Sequence, residues 1–236
     1  MSKAPAKVTA QRFTLNGTVT DEGERIINGN EASPGEYPYM VFITDAENLL
    51  ACGGSIIKRR WVLTAAHCMA AFEGVIIHED YVRLQDGNDI ALIELDVSLN
   101  YEMLHSVQPL CLGKAEDLII GKDAVHTGWG LLAANSPPLP NALFEVTLTL
   151  QQVAICDAFT DIPSDPQMVV CTINIDKSNC QGDSGGPLVR QLCDGRWAQV
   201  GIASYGESGC SQPRIFTNVI FYRSWIDGNT GSAIAC

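Results

Sequence analysis

From Tyr39 onward the chain alternates short apolar runs with turn residues. Runs rich in Val, Ile, Leu and Thr occupy Met40–Thr44, Trp61–Thr64 and residues 90–95, 143–150 and 197–204. Gly, Pro, Asn and Asp separate them at intervals of roughly ten residues, the spacing of strands in an all-β barrel or sandwich. Residues 219–226, with Trp225 beside Ile226, space their apolar positions at a helical period, which predicts a helix near the end of the chain. Residues 1–25 are polar, lack a hydrophobic period and end at Glu24-Arg25, directly before Ile26-Ile27-Asn28-Gly29. They read as a propeptide and not as a fold element.

Composition narrows the class. A chain of 236 residues can bury a large core as one domain or two fused halves, and 46% hydrophobic residues is an ordinary globular share. The net charge of −12 argues against nucleic acid and anionic membrane surfaces as partners, and otherwise favours solubility. Nine cysteines beside turn-like glycines point to disulfides formed in an oxidising compartment, with at least one thiol left over. The stretch MSKAPAKVTAQRFTLNG shows no apolar leader, and no run approaches the ~20 apolar residues needed to span a bilayer. The cysteines carry more weight, so a secreted protein is expected.

Three strings carry chemistry: LTAAHC, ending at Cys68, NDIALIEL, ending at Leu95, and GDSGGP from Gly182 to Pro187. A serine hydroxyl is a weak nucleophile at neutral pH and needs a base within hydrogen-bond reach; His67 can serve Ser184 in that role. A buried carboxylate at Asp89 would fix the imidazole tautomer and stabilise the imidazolium. The N–H groups of Gly182 and Ser184 would form an oxyanion hole. Alone, a histidine after two alanines is more often a packed core residue, and an Asp before a strand is more often a turn residue. His78, His105 and His126 take that plain reading, since none has metal-ligand spacing; no metal or other cofactor is expected.

Together, in the order His, Asp, Ser, the strings resemble the chymotrypsin-like (trypsin-like) serine proteases, from Ile26 to about Ile226. The resemblance implies two packed six-stranded antiparallel Greek-key barrels with a C-terminal helix, residues 26–236 forming the protease domain. It implies a zymogen: cleavage after Arg25 frees the Ile26 ammonium to pair with Asp183 and organise the loop around Ser184. It pairs Cys52 with Cys68, Cys156 with Cys171 and Cys180 with Cys210, leaving Cys111, Cys193 and Cys236 unassigned. Residues 1–25 contain no cysteine to tether them, so the cleaved propeptide should leave. Protein or peptide substrates and protein inhibitors are the implied partners of a monomer.

In the family the residue six before the nucleophile lies at the base of the primary pocket, and here it is Ser178, not the Asp of trypsins. Arg214 stands in QPRIFTNV where a Gly is usual, a resemblance to granzyme B. Ser204, Tyr205 and Gly206 are expected to pair with substrate backbone as an added strand. Either Arg214 reaches into the pocket and selects Asp or Glu, or it snorkels outward and leaves a pocket for large apolar residues. Neither pocket accepts Arg25, so a separate trypsin-like protease is the expected activator.

The pattern also departs from the family between the histidine and the aspartate. Asp89 follows His67 by 22 positions, about half the family's spacing, which removes about two strands of the N-terminal barrel and the calcium loop of many members. Chain reach of about 70 Å still lets the side chains meet. Opened edges would loosen His67, so the rival reading is a protease homologue that binds or regulates without catalysis.

Overall fold

A computed structural model describes residues 4–5, 7–10, 29–44, 50–70, 72–104, 106–131, 140–174 and 176–231. Arg25, Ile26, His105 and Cys236 lie outside the described residues. The strands in the first half are β1 (Ala4–Pro5), β2 (Lys7–Ala10), β3 (Asn30–Glu31), β4 (Met40–Thr44), β5 (Leu50–Lys58), β6 (Trp61–Thr64), β7 (Phe72–Glu73), β8 (Val75–Ile77) and β9 (Ala91–Glu94). Those in the second are β10 (Cys111–Leu112), β11 (Asp123–Gly128), β12 (Phe144–Gln151), β13 (Val169–Ile173), β14 (Pro187–Gln191), β15 (Trp197–Gly206) and β16 (Arg214–Asn218). Helices are few: α1 (Ala66–Met69), α2 (Val153–Asp157) and α3 (Arg223–Thr230).

In the second half β15, β14, β11, β12, β13 and β16 hydrogen-bond in that order, and β16 returns to β15, so six strands close on themselves. Closure leaves no open edge inside the ring. β12 shows why the sequence folds this way: its residues alternate buried and half-exposed, turning Phe144, Val146, Leu148 and Leu150 inward against Leu188, Val200 and Phe216. The first half forms an open six-stranded antiparallel sheet in the order β2-β4-β5-β6-β9-β8. Its core holds Val41, Ile43, Ile56, Val62, Leu63 and Leu92. Ile226 of α3 is fully buried in that same cluster, which fastens the end of the chain to the first half with about 2 kcal/mol of apolar burial.

Two expectations change. The helix begins at Arg223 instead of near Val219, because the Asn218 side-chain oxygen accepts the N–H groups of Ile220 and Phe221 and holds a turn there. Residues 7–10, read as lying outside the fold, pair antiparallel with β4, from Lys7 opposite Thr44 to Ala10 opposite Val41. The edge of β4 not occupied by β5 offers unpaired N–H and C=O groups that a short extended segment can satisfy. The short connection from His67 to Asp89 supplies β7, β8 and one 3₁₀ turn at Leu84–Asp86.

Candidate active site

β6 runs through Ala65 into α1, which opens at Ala66; both alanines are fully buried, and the single turn of α1 sinks Met69 into the core while leaving the His67 side chain 22% exposed. The Cys52–Cys68 disulfide ties this turn to β5. His67 Nδ1 lies 2.8 Å from Asp89 Oδ2, and the His67 backbone N–H donates to Asp89 Oδ1 at 2.8 Å. A carboxylate at Nδ1 draws the ring proton there and leaves Nε2 as the acceptor, the tautomer a general base requires.

Asp89 is 1% exposed, and its placement draws on contacts from both ends of the fold. Asn88 adopts φ 57, in the left-handed region that asparagine tolerates, and turns the chain so that Asp89 points inward. The Tyr222 hydroxyl accepts the Asn88 N–H at 2.9 Å, and Thr217 Oγ1 donates to the Asp89 carbonyl at 2.8 Å. The Ser204 hydroxyl donates to Asp89 Oδ2 at 2.5 Å. Three residues from the end of the chain thus hold the carboxylate against the imidazole. Sequence reading gave Ser204 only a role toward substrate backbone and missed the other two, since nothing local marks a contact made across more than a hundred residues.

Ser184 sits in a loop pinned from several sides. Its carbonyl accepts the Gly53 N–H at 2.8 Å, and the Gly185 N–H donates to the Ala203 carbonyl at 2.8 Å. Gly185 has φ +77, and a Cβ there would lie 2.3 Å from Thr64 Oγ1 and 3.3 Å from the Ala65 nitrogen, so only glycine lets the loop press against the residues just before His67. The Ser184 hydroxyl and the N–H groups of Gly182 and Ser184 make no hydrogen bond among the described residues. His67 Nε2 lies 3.7 Å from the Cys68 sulfur. The structure therefore bonds His67 to Asp89 and brings the Ser184 loop to their side, without a bond from the serine hydroxyl to the imidazole. Such bonds are often long before substrate binds.

Asp183 is fully buried between the nucleophile loop and the end of β11. Gly130 N–H donates to Oδ1 at 2.8 Å and Cys180 N–H to Oδ2 at 2.7 Å. Burial pushes the carboxyl up to about 6, against the downward pull of those N–H groups and of Arg214. His126 Nε2 lies 3.9 Å from Oδ1, and its Nδ1 lies 3.0 Å from the Pro187 carbonyl. Burial pulls this imidazole down to about 4. The two groups oppose each other between pH 4 and 6. A raised carboxyl makes the folded state lose stability as pH rises from the ordinary 3.8 to about 6, whereas a depressed imidazole makes it gain stability as pH rises from about 4 to 6.5. Asp183→Asn should therefore steepen the rise of Tm between pH 4.5 and 6.5 relative to the parent chain, by an amount worth roughly 2 kcal/mol; melts at the two pH values check it.

The pocket residues meet as well. Arg214 opens β16, is 8% exposed, and donates from Nε to Ser178 Oγ at 2.8 Å; Ser178 in turn donates to the Asn179 carbonyl at 2.9 Å. Gly206 lies opposite Arg214 in the β15–β16 ladder, and a Cβ there would come within 2.8 Å of Nη1. Arg214 Nη2 and Asn179 Oδ1 are buried without a partner among the described residues. Burial pulls the guanidinium down to about 10, against the upward pull of the Asp183 and Glu207 charges, so it remains a cation at neutral pH. Outward snorkelling of Arg214 is not what the side chain does. Pairing of β15 with β14 ends at Ile202, which leaves Ser204, Tyr205 and Gly206 beyond that ladder, while the Tyr205 hydroxyl donates to the Asp161 carbonyl at 2.9 Å.

Disulfides join Cys52 to Cys68, Cys156 to Cys171 and Cys180 to Cys210. Each closes a loop and contributes on the order of 3 kcal/mol by restricting the unfolded chain. Cys111 is also disulfide-bonded, and Cys193 is a free, exposed thiol. Among the described residues the one tight group of potential metal ligands is Cys52, His67 and Cys68, whose two sulfurs are bonded to each other. His78 stacks on Trp225, and no helix of the described residues is long and apolar enough to cross a membrane.

The family model described as Trypsin matches residues 26–74 and 70–226. The chain is 33% identical to chymotrypsin-2 of Vespa crabro over 86% of its own length and 99% of that protein's. It is 34% identical to tryptase of Mus musculus over 86% and 88%. It is 29% identical to transmembrane protease serine 11C of Mus musculus, matching over 91% of its own length but spanning only 56% of that relative.

Proposed function

As the chain belongs to the trypsin family of serine proteases, we propose that it is the zymogen of a secreted endopeptidase that cuts after acidic residues through an acyl-enzyme on Ser184. The supporting observation for the chemistry is the two-point bond between His67 and Asp89. His67 Nε2 takes the Ser184 hydroxyl proton as Oγ attacks the scissile carbonyl. The resulting imidazolium is held by Asp89, and the oxyanion is held by the N–H groups of Gly182 and Ser184. The same imidazolium gives its proton to the leaving amine. Water then repeats the sequence against the ester, returning the hydroxyl to Ser184 and releasing the acid product.

The supporting observation for specificity is the buried, charged Arg214 with a free Nη2. A buried guanidinium with an unused N–H is costly until an anion accepts from it, and a substrate carboxylate in the primary pocket does so while Ser178 steadies Nε. The cation repels Lys and Arg, so the enzyme does not cut its own Arg25-Ile26 bond, and activation falls to a separate protease with a basic preference. Pairing of the Ile26 ammonium with Asp183 would compensate the buried carboxylate and set the loop that carries Gly182 and Ser184.

The test is direct. A chain cleaved at Arg25 should take up a fluorophosphonate label and turn over peptides ending in Asp at least tenfold faster than those ending in Phe or Arg. Activity confined to Phe and Leu peptides would sink the acidic pocket. Failure of a folded, correctly cleaved chain to take the label would favour the non-catalytic homologue.

A further inference from the structure

The segment ahead of Arg25 does more than mask an amino terminus. β2 lies on the free edge of β4, with four residues in register, and β1 pairs in parallel with β7, Ala4 opposite Phe72 and Pro5 opposite Glu73. One contact reaches the shortened His67–Asp89 connection, and the other reaches the edge of β4 away from β5. β7 belongs to that connection itself. β4 is hydrogen-bonded on its other side to β5, which carries Cys52 and, through the Cys52–Cys68 disulfide, the turn bearing His67. Without residues 7–10 the first-half sheet has five strands and a bare edge at β4, whose Val41 and Ile43 belong to the core.

We propose that the β4 edge is a strand-acceptor site and that its occupant, this chain's own residues 7–10, stays in place after cleavage at Arg25. The mature enzyme is then a non-covalent pair of chains, one carrying residues 7–10 and the other beginning at Ile26, in which the propeptide serves as a permanent strand. This replaces the expectation that an untethered propeptide should leave, and it rests on the activation reading above. Main-chain hydrogen bonds along the ladder supply the affinity, as in other cases of strand addition. The occupant is the segment seated there, already in register before the bond at Arg25 is cut.

The test uses the full-length chain with residues 21–25 replaced by an enteropeptidase recognition sequence, so that cleavage frees Ile26 without touching β1 or β2. After cleavage, size-exclusion under native conditions followed by intact-mass analysis should find the 1–25 peptide with the 26–236 chain at one to one. In an antiparallel ladder alternate residues point their N–H at the partner, so of Val8→Pro and Thr9→Pro one removes a bond to β4. That variant should release the peptide and lose fluorophosphonate labelling at least tenfold, with synthetic 1–25 peptide restoring it; Val8→Ala, which keeps its N–H, should behave as the parent. A peptide that elutes separately from a fully labelled 26–236 chain overturns the proposal. A retained peptide on a chain that takes no label leaves the strand standing and removes the proteolytic reading instead.

Discussion

Ser184→Ala, in the cleaved enzyme, should lower peptide turnover by on the order of 10⁶ and abolish fluorophosphonate labelling while leaving Tm within about 1 °C. The size follows from the division of labour in the site. His67 and Asp89 act only through the serine oxygen, so once that oxygen is gone the imidazole has no proton to remove, and only the oxyanion donors and substrate binding remain. The unchanged stability follows from what the residue contributes to the fold. Ser184 is fixed by its carbonyl, which accepts from Gly53, and its hydroxyl has no bond to lose among the described residues. An equal loss from His67→Ala, with no further loss in the double variant, would show the two acting as one unit. Turnover reduced by less than a hundredfold would place the nucleophile elsewhere.

Arg214→Gly should reverse the preference of the pocket. A charge-assisted bond to a substrate carboxylate in a dry pocket is worth roughly 2–3 kcal/mol, so kcat/KM for peptides ending in Asp should fall about 100-fold. The loss should fall mainly on KM, because the bond is made in the bound substrate as well as in the transition state. Peptides ending in Phe should improve, since removing the side chain opens the volume beside Ser178. The fold should tolerate the change: Arg214 Nη2 is buried without a partner, so losing the cation removes a desolvation cost along with the bond from Nε to Ser178. Unchanged turnover of Asp peptides in this variant would show that the guanidinium does not face the substrate.

What could be read from the chain was what depends on neighbours in sequence. β4 and β6 begin and end where the apolar runs do, and β12 is displaced by a single residue, because alternation along a half-buried strand is a local signal. The histidine, aspartate and serine strings were legible for the same reason. What escaped depends on the return of distant segments. β2 is four residues with no hydrophobic run around them, and only the free edge of β4 makes them a strand. The short connection cast doubt on Asp89 because nothing nearby shows Tyr222, Thr217 and Ser204 gripping that turn from the far end of the chain. Arg214 was undecided between pocket and solvent, since the choice is made by Ser178 and by the close approach of Gly206.

The amide of Gly53 belongs to the open first-half sheet, and the carbonyl it meets at Ser184 belongs to the loop of the closed ring. This exchangeable proton therefore sits on the seam between the halves. Its exchange with deuterated solvent would be slow only while both halves remain docked, which makes it a gauge of their separation that needs no substrate. Warming that quickens exchange at this proton ahead of the buried amides of β12 would show the molecule parting at the nucleophile before either half unravels.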